Sequence, residues 1–336
     1  MSFWLDIGDF ALKALLIVAA IGSVAALVAL AARGSREEPS EIGLRSLDQR
    51  YDADEALLKM AMLDKRGRKA FLKARKAAKK IAKPDKRLIV LRFKGDLAAS
   101  AAGRLGREVD AALSVARPGV DEIVARVESP GGTVAGYGLA AAQLRRFVER
   151  KIQLTVCVDQ VAASGGYMMA CVADKIVAAP FALVGSIGVV AQVPNLNRLL
   201  KKNDIDFEEI TAGEFKRTVS IFGEITPAGR EHFQGKLDAI HGAFKRFVAA
   251  RRPRADIDKL GNGDVWLASE ALELGLVDEI STADDYLLRA RPTALIYEVF
   301  THPKSGRLKA WLMDAGSSLG DAARAALTRL GSPPLT

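Results

Sequence analysis

A short segment rich in small residues, DQVAASGGYMM at 159–169, places a serine where an apolar stretch meets a helix-forming one. The preceding residues, IQLTVCV at 152–158, favour a strand, and those after the serine favour a helix. Ser164 is therefore expected at the positive end of a helix dipole with its hydroxyl exposed. Gly165 and Gly166 allow a ligand to approach the backbone N–H groups closely. A nucleophile and an ordinary N-cap both fit this segment, and considered alone the N-cap is the simpler interpretation.

A second small-residue motif, SPGG at 129–132, follows a predicted strand. A strand that ends in Pro-Gly-Gly turns sharply and leaves a glycine N–H pointing outward, as an oxyanion donor requires. Ser129 is a rival nucleophile, but the proline after it has no N–H to donate. Ser164 is followed by Gly165, whose N–H can help to hold a tetrahedral oxyanion. This difference favours Ser164 as the attacking group, although an ordinary β-turn also explains the SPGG motif alone.

A serine nucleophile needs a partner that accepts its proton, and the three histidines of the chain are poor candidates. His232 and His241 lie nine residues apart on one predicted helix, in a stretch typical of a packing surface. His302 lies in the C-terminal tail. None of the three stands at metal-ligand spacing from other ligand types, so we predict no metal and no cofactor.

A lysine is the next option for the base, as in Ser-Lys variants of the catalytic triad. Lys216 lies in a polar loop that contains glycine, TAGEFKRTVS, and the adjacent Arg217 favours a neutral lysine. A surface position in water explains any single lysine equally well. Spacing alone does not distinguish Lys216 from Lys175 or Lys201.

The elements that must position these groups alternate between strands and helices from Arg87 onward. Short units of this kind imply a mostly parallel sheet with helices outside it. Thr226 and Pro227 are a typical N-cap and first-turn pair for the longest predicted helix. The predicted strands are 87–93, 121–129, 152–158 and 175–178, with a strand-like run at 207–211; the predicted helices are 100–117, 137–151, 165–173, 226–251 and 269–274; a strand, ALIYEVF, and an amphipathic helix near 308–330 follow residue 291.

The N-terminal region predicts a membrane anchor. Residues 14–32 contain no charge over nineteen residues, which is just long enough to cross a bilayer as a helix. A cleavable signal peptide is the rival interpretation, because Ala29-Leu30-Ala31 resembles a cleavage site. The acidic start, MSFWLDIGDF, favours a retained anchor. The positive-inside rule places the rest of the chain in the cytoplasm, but long domains can cross a membrane despite their charge, so the side stays open.

The positive charge of the chain is concentrated behind this anchor. The net charge is +9, and the segment 59–87 alone carries +11, which leaves the remainder slightly acidic. Residues 35–51 are predicted to be a polar linker, and 53–83 to be a helix that is interrupted or bent near Gly67 and stopped by Pro84. This helix is either solvated or lies against anionic lipid. Nucleic acid is not predicted, since no aromatic interleaving or recognisable module accompanies the charge.

Composition is otherwise that of an ordinary globular protein, with 49% apolar and 26% charged residues. Cys157 and Cys171, the two cysteines, lie in apolar stretches on either side of the serine turn. No disulfide framework is implied, and buried free thiols are expected.

Five motifs in a fixed order extend the argument beyond single residues: SPGG, AASGGY, GSIGV, GEFK and GDVWLASEALELGLVDEI, within about residues 87–285. In this order they resemble the signal peptide peptidase (SppA/SohB-type) family of membrane-bound serine peptidases, most closely its SohB-type branch. The resemblance implies a ClpP/crotonase-like fold with a mostly parallel sheet, a peptide substrate and a ring-like or dome-like homo-oligomer. One departure is Met168-Met169 after the SGGY tyrosine, where many members carry a second aromatic residue.

The resemblance also implies roles for five residues. Ser164 is the nucleophile and Lys216 the general base of a Ser-Lys dyad. Ser186 falls where the family has a serine that hydrogen-bonds the lysine. Gly132 and Gly165 fall at the two oxyanion N–H positions.

We therefore expect a membrane-anchored serine endopeptidase that uses an acyl-enzyme intermediate and acts on peptides such as signal-peptide or membrane-protein remnants. The expected location is the bacterial inner membrane, with a single pass. The alternatives are a crotonase-type acyl-CoA hydratase or hydrolase, and an inactive membrane scaffold. The expected regions are an anchor at 1–33, a linker and basic helical extension at 34–86, the peptidase domain at 87–290, and a C-terminal strand and tail at 291–336.

Overall fold

The computed structural model describes residues 40–78 and 84–303. Residues 42–300 belong to the larger of two compact units, and among the described residues 40–41 and 301–303 belong to the smaller. The strands are β1 (Ser40–Ser46), β2 (Lys86–Lys94), β3 (Glu122–Glu128), β4 (Gln153–Val158), β5 (Val161–Ala163), β6 (Lys175–Ala178), β7 (Leu183–Gly185), β8 (Val265–Leu267), β9 (Glu279–Ile280) and β10 (Ala294–Pro303). The helices are α1 (Leu47–Met62), α2 (Lys65–Ala78), α3 (Ala102–Leu113), α4 (Val134–Glu149), α5 (Gly165–Ala170), α6 (Asn197–Lys202), α7 (Pro227–Ala249), α8 (Ile257–Leu260), α9 (Ala268–Glu273) and α10 (Ala283–Ala290).

The main sheet has seven strands in the order β1-β10-β2-β3-β4-β6-β9. Every recorded pairing from β10 to β9 is parallel, so the predicted mostly parallel α/β sheet is confirmed. The strand ALIYEVF, predicted after residue 291, is part of β10 and pairs with β2 in this sheet.

The main sheet is buried on both faces, as expected when helices cover a parallel sheet on both sides. Strand β2 shows the alternation. Ile89, Leu91 and Phe93 belong to the larger apolar cluster, which includes residues of α3, α4 and α5. Leu88 and Val90 belong to the smaller cluster, which includes residues of α1 and α10.

A second, smaller sheet has the order β5-β7-β8 and carries the candidate site. Strand β7 pairs parallel with β5 and antiparallel with β8. These strands have three residues each and were not predicted from the sequence. Strands this short give no detectable alternation of their own, and the surrounding packing decides their conformation.

The N-terminal part of the described chain differs from its prediction in one respect and agrees with it in another. The segment 35–51, predicted as a linker, includes strand β1 and the start of α1. The interruption predicted near Gly67 occurs at Leu63 and Asp64, and Gly67 itself lies inside α2. The reason is a capping contact, because Asp64 Oδ1 accepts a hydrogen bond of 2.7 Å from the Gly67 N–H.

The prediction of a strand-like run at 207–211 is wrong, because these residues are irregular in the structure. Phe207 contacts Phe222, with 5.5 Å between ring centroids, and joins no sheet. The predicted span at 14–32 and the tail helix near 308–330 lie outside the described residues. Within residues 40–78 and 84–303, no helix is both long and apolar enough to cross a bilayer.

Candidate active site

Ser164 occupies a strained turn between strand β5 and helix α5. Its φ is 52° and its ψ is −117°, a combination that residues other than glycine seldom adopt. Its N–H donates to the Gly185 carbonyl at 2.8 Å, and its carbonyl accepts from the Met168 N–H at 2.9 Å. Its side chain makes no capping hydrogen bond and is half-buried. Ser164 is thus the N-cap residue of α5 by position, but its side chain caps no backbone N–H, and among the described residues its hydroxyl has no hydrogen-bond partner.

Ser186 lies beside Ser164 at the same end of the small sheet. In the β5–β7 pairing Ala163 is opposite Gly185, so the two serines are the next residues on adjacent parallel strands. Ser186 also has a positive φ, 51°, and its N–H donates to the Asp264 carbonyl. The structure thus brings these two predicted site residues together.

The SPGG turn packs directly against Ser164. The Ser129 N–H donates to the Val161 carbonyl at 2.8 Å, and the Ser129 carbonyl accepts from the Ala163 N–H at 3.0 Å. These bonds tie the turn to β5. Gly131 has a φ of 95°, and a Cβ on it would lie 2.7 Å from the Ser164 Cβ. Only glycine permits this approach.

The two predicted oxyanion donors have N–H groups that are not engaged elsewhere. The Gly131 N–H donates to the Ser129 Oγ at 3.0 Å and is occupied. Within the described part of the chain, the Gly132 and Gly165 N–H groups donate no backbone hydrogen bond. A Cβ on Gly132 would lie 2.1 Å from the Leu97 carbonyl oxygen, so that position also requires glycine.

Ser129 is excluded as a nucleophile by its surroundings. It is fully buried, and its Oγ lies 2.5 Å from the Tyr137 hydroxyl. The Tyr137 hydroxyl in turn donates to the Asp96 carbonyl at 2.8 Å, so the Ser129 hydroxyl donates to Tyr137. Burial raises the pKa of Tyr137, which keeps this tyrosine neutral. Ser129 therefore supports the turn.

The three lysines considered as bases differ in their contacts. Lys175 forms an ion pair with Glu279 at 2.6 Å, and Lys201 forms one with Glu224 at 2.8 Å. Lys216 is exposed, and its Nζ has no ion pair or hydrogen bond to another described residue. It also makes no hydrogen bond to Ser164 or Ser186 within the single chain, so the structure does not join the predicted base to the nucleophile.

Lys216 lies in a long surface segment, residues 189–226, which we call the lysine segment. None of its residues is buried. Its local shape depends on Asn195, whose Nδ2 donates to the carbonyls of Ser220 and Gly223, both at 2.9 Å. Asn197 adds a bond of 2.8 Å to the Phe222 carbonyl.

Sequence reasoning missed contacts made by the two histidines of α7, which it assigned to a packing surface. The His241 Nε2 lies 3.1 Å from the carbonyl oxygen of Ile187, next to Ser186. The His232 ring stacks on Phe215, next to Lys216. A nine-residue spacing on one helix gives no signal for either contact. Among the described residues, no cluster of three or more potential ligands could hold a metal ion.

Comparison with known proteins gives matches along most of the chain. The model of "Peptidase family S49" matches residues 146–296, and that of "Peptidase family S49 N-terminal" matches residues 2–144. A "Probable protease SohB" from Haemophilus influenzae is 43% identical over 318 residues, covering 90% of both chains. A "Putative protease SohB" from Buchnera aphidicola subsp. Baizongia pistaciae is 40% identical over 324 residues, covering 91% of this chain and 93% of the relative. "Protease 4" from Haemophilus influenzae is 28% identical over 173 residues, covering 51% of this chain and 28% of the relative.

Proposed function

We propose that this chain, which belongs to peptidase family S49, is a membrane-anchored serine endopeptidase with Ser164 as its nucleophile. The observation that carries the proposal is the strained turn at Ser164, with a free hydroxyl beside two unengaged glycine N–H groups. A hydroxyl and two backbone donors at one point are what acyl transfer requires. The names of the three relatives reported above all contain the word protease, which supports acyl transfer from a peptide.

In the proposed reaction Lys216 Nζ accepts the proton of the Ser164 Oγ as that oxygen attacks the carbonyl carbon of a peptide bond. The carbonyl oxygen becomes an oxyanion, which the N–H groups of Gly132 and Gly165 hold. The C–N bond then breaks, the leaving amine takes the proton from the lysine, and an acyl-enzyme ester remains. Water attacks the ester, its proton passes through the lysine back to Ser164, and the carboxylic acid product leaves.

Because Lys216 makes no hydrogen bond to Ser164 within the described part of a single chain, we infer that a second copy completes the site. The lysine segment exposes many large apolar side chains, and such surfaces mark sites of protein association. We infer that this surface packs against another copy and brings a lysine to a serine. The exposed residues are Val190, Val193, Leu196, Leu199, Ile205, Phe207, Ile210, Phe215, Ile221 and Phe222.

The proposal places the enzyme at the bacterial inner membrane through the predicted span at 14–32. Helix α2 supports this location, because it has seven cationic residues and no acidic one. Near anionic lipid each cation contributes about 1 kcal/mol. Reporters fused after Arg36 and after Thr336 would show on which side of the membrane the peptidase lies.

The test of the dyad uses Ser164→Ala and Lys216→Ala. Each variant is expected to lose cleavage of casein or a peptide while keeping the thermal unfolding midpoint of the wild type. A fluorophosphonate probe is expected to label the wild type at Ser164 only. Full activity in either variant would overturn the assignment, and absent labelling together with acyl-CoA turnover would favour the crotonase-type alternative.

Mixing the two inactive variants tests the assembly. If the dyad forms between copies, mixed oligomers contain sites with an intact serine and an intact lysine, so part of the activity returns. If both residues must come from one chain, the mixture stays inactive. A double variant, Ser164→Ala with Lys216→Ala, mixed with either single variant is the matched control, because it cannot supply the missing group.

A further inference from the structure

Helix α7 contacts both the turn that carries Ser186 and the loop that carries Lys216. We propose that His241 and His232 are positioning residues of the peptidase reaction, the first for the turn that carries Ser186 and the second for the loop that carries Lys216. The inference rests on the proposed function. Neither histidine touches Ser164 or takes part in proton transfer; each acts through the backbone or ring that it contacts.

His241 holds the turn at residues 185–188. Its Nε2 lies 3.1 Å from the Ile187 carbonyl oxygen, and a carbonyl oxygen can only accept, so this nitrogen carries the hydrogen. Gly185 and Ser186 both have positive φ, and such a turn persists only when its surroundings impose it. The Ile187 side chain is fully buried on one side of the turn. The histidine bond fixes the carbonyl of the same residue.

His232 holds the loop that carries Lys216. Its ring is parallel to that of Phe215, with 3.8 Å between centroids and 4° between planes. Phe215 directly precedes Lys216, whose own N–H closes a turn to the Gly213 carbonyl at 3.1 Å. No residue of the lysine segment is buried, so its own packing does not hold the loop in place. The ring contact with helix α7 restricts the loop instead.

Helix α7 connects these two contacts rigidly. Phe244 and Val248 are buried in the larger apolar cluster and anchor its C-terminal half. Its N-terminal half has no buried residue and extends to the lysine loop. Nine residues of helix separate the two histidines by about 13 Å and place them on opposite sides. The helix therefore supports both the Ser186 turn and the Lys216 loop of one chain, each through one histidine.

The experiment compares truncations with replacements that keep the contact. His241→Leu removes the donor, whereas His241→Gln keeps an N–H at nearly the same reach. His232→Ala removes the stacking ring, whereas His232→Phe keeps it. Lys236→Ala, an exposed position on the same helix, is the matched control.

We expect His241→Leu and His232→Ala to lower kcat about tenfold with an unchanged KM, the size of one lost hydrogen bond or ring contact. His241→Gln, His232→Phe and the control are expected within about twofold of the wild type. All are compared in the full-length protein, with the thermal midpoint and the rate of fluorophosphonate labelling of Ser164 measured in parallel. If a truncation fails to fold, His241→Ala or His232→Leu replaces it.

Two results would overturn the positioning role: wild-type kcat in the truncations, or an equal loss in the contact-keeping replacements. The same assay includes Ser164→Ala and Lys216→Ala. Activity in those two variants refutes the dyad itself, whereas their inactivity combined with fully active histidine truncations refutes the positioning role alone.

Discussion

Ser164 and Lys216 stand in two regions that the chain builds in different ways. We call the first the serine side: the 129–132 turn, Ser164 and Ser186. It is held by backbone hydrogen bonds to the small sheet, and its glycines lie within van der Waals contact of neighbouring backbone. The lysine segment has no buried residue, and side-chain amides and ion pairs hold it locally.

The difference follows from what each group must do. Oxyanion donors must be in place before charge develops, and a packed sheet is the environment that achieves this. The positive φ values at Ser164 and Ser186 cost about 1–3 kcal/mol each and persist because the surrounding strands impose them. The base that we propose comes from another copy needs only a surface that orders on contact. Five predictions test this contrast.

The largest effect is expected at Gly132. In Gly132→Ala the new Cβ meets the Leu97 carbonyl oxygen at 2.1 Å, so the turn must move and its N–H leaves the proposed oxyanion position. We predict a loss of at least about a hundredfold in kcat, measured on a peptide substrate. Gly138→Ala is the control, because its Cβ meets nothing within 4 Å in helix α4. Equal activity of the two variants would show that the turn adapts and is not preorganised.

The next effect concerns the rigid scaffold under the serine side. Asp121 has a fully buried side chain and accepts hydrogen bonds from Arg87 and Arg117. Asp121→Asn leaves Arg87 without its anion and leaves Arg117 with only the exposed Asp85. Because the arginines are partly exposed, we predict a loss of about 2–3 kcal/mol in the free energy of unfolding, measured with urea. An unchanged urea midpoint would show that this pair contributes nothing to the scaffold.

Lowering the pH should remove from the wild type the stabilisation that the Asp121 carboxylate contributes. Burial would raise the pKa of Asp121, but hydrogen bonds from Arg117 and Arg87 outweigh it and hold the pKa well below its usual range. A carboxyl with a depressed folded-state pKa stabilises the fold fully above its unfolded pKa of about 3.9. The difference between wild type and Asp121→Asn should therefore be constant above about pH 5 and shrink as the pH falls below about 4.

The two sides also differ in how far the sequence predicts them. Strand β6 and helix α7 lie where the pattern and the Thr226-Pro227 pair place them, since alternation, capping and proline act locally. The order of motifs predicts the family, and the family models and relatives confirm it. The roles of Ser164, Lys216, Gly132, Gly165 and Ser186 stay predictions, as do the domain boundaries.

The contacts that were missed are tertiary. Strands β5, β7 and β8 have three residues each and exist because they pair with one another and with the SPGG turn. The contact of His241 with Ile187 joins residues 54 apart. The position of Lys216 depends on the whole lysine segment and on the surface that packs against it. A local sequence pattern does not encode either of them.

A smaller effect is expected from loosening the lysine segment. Asn195→Ala removes its two bonds to the carbonyls of Ser220 and Gly223. The segment is exposed, so we predict an unchanged thermal midpoint but a loss of about fivefold in kcat/KM. Asn203→Ala, which removes a bond within the end of α6, is the control and should keep full activity. A fall in the midpoint would mean that the segment is part of the folded core.

The smallest effect is expected from the native thiols, which report the packing of the core that supports the serine side without any change to it. Burial raises the pKa of both Cys157 and Cys171 to about 12, so both stay protonated at neutral pH. We predict no reaction with a disulfide reagent at pH 7.5 in the native protein and two reactive thiols after unfolding. In Lys202→Cys, a thiol on the exposed helix α6 should react at once. Comparable native reactivity of all three thiols would mean that the core opens as readily as the lysine segment, and the contrast between the two sides would fail.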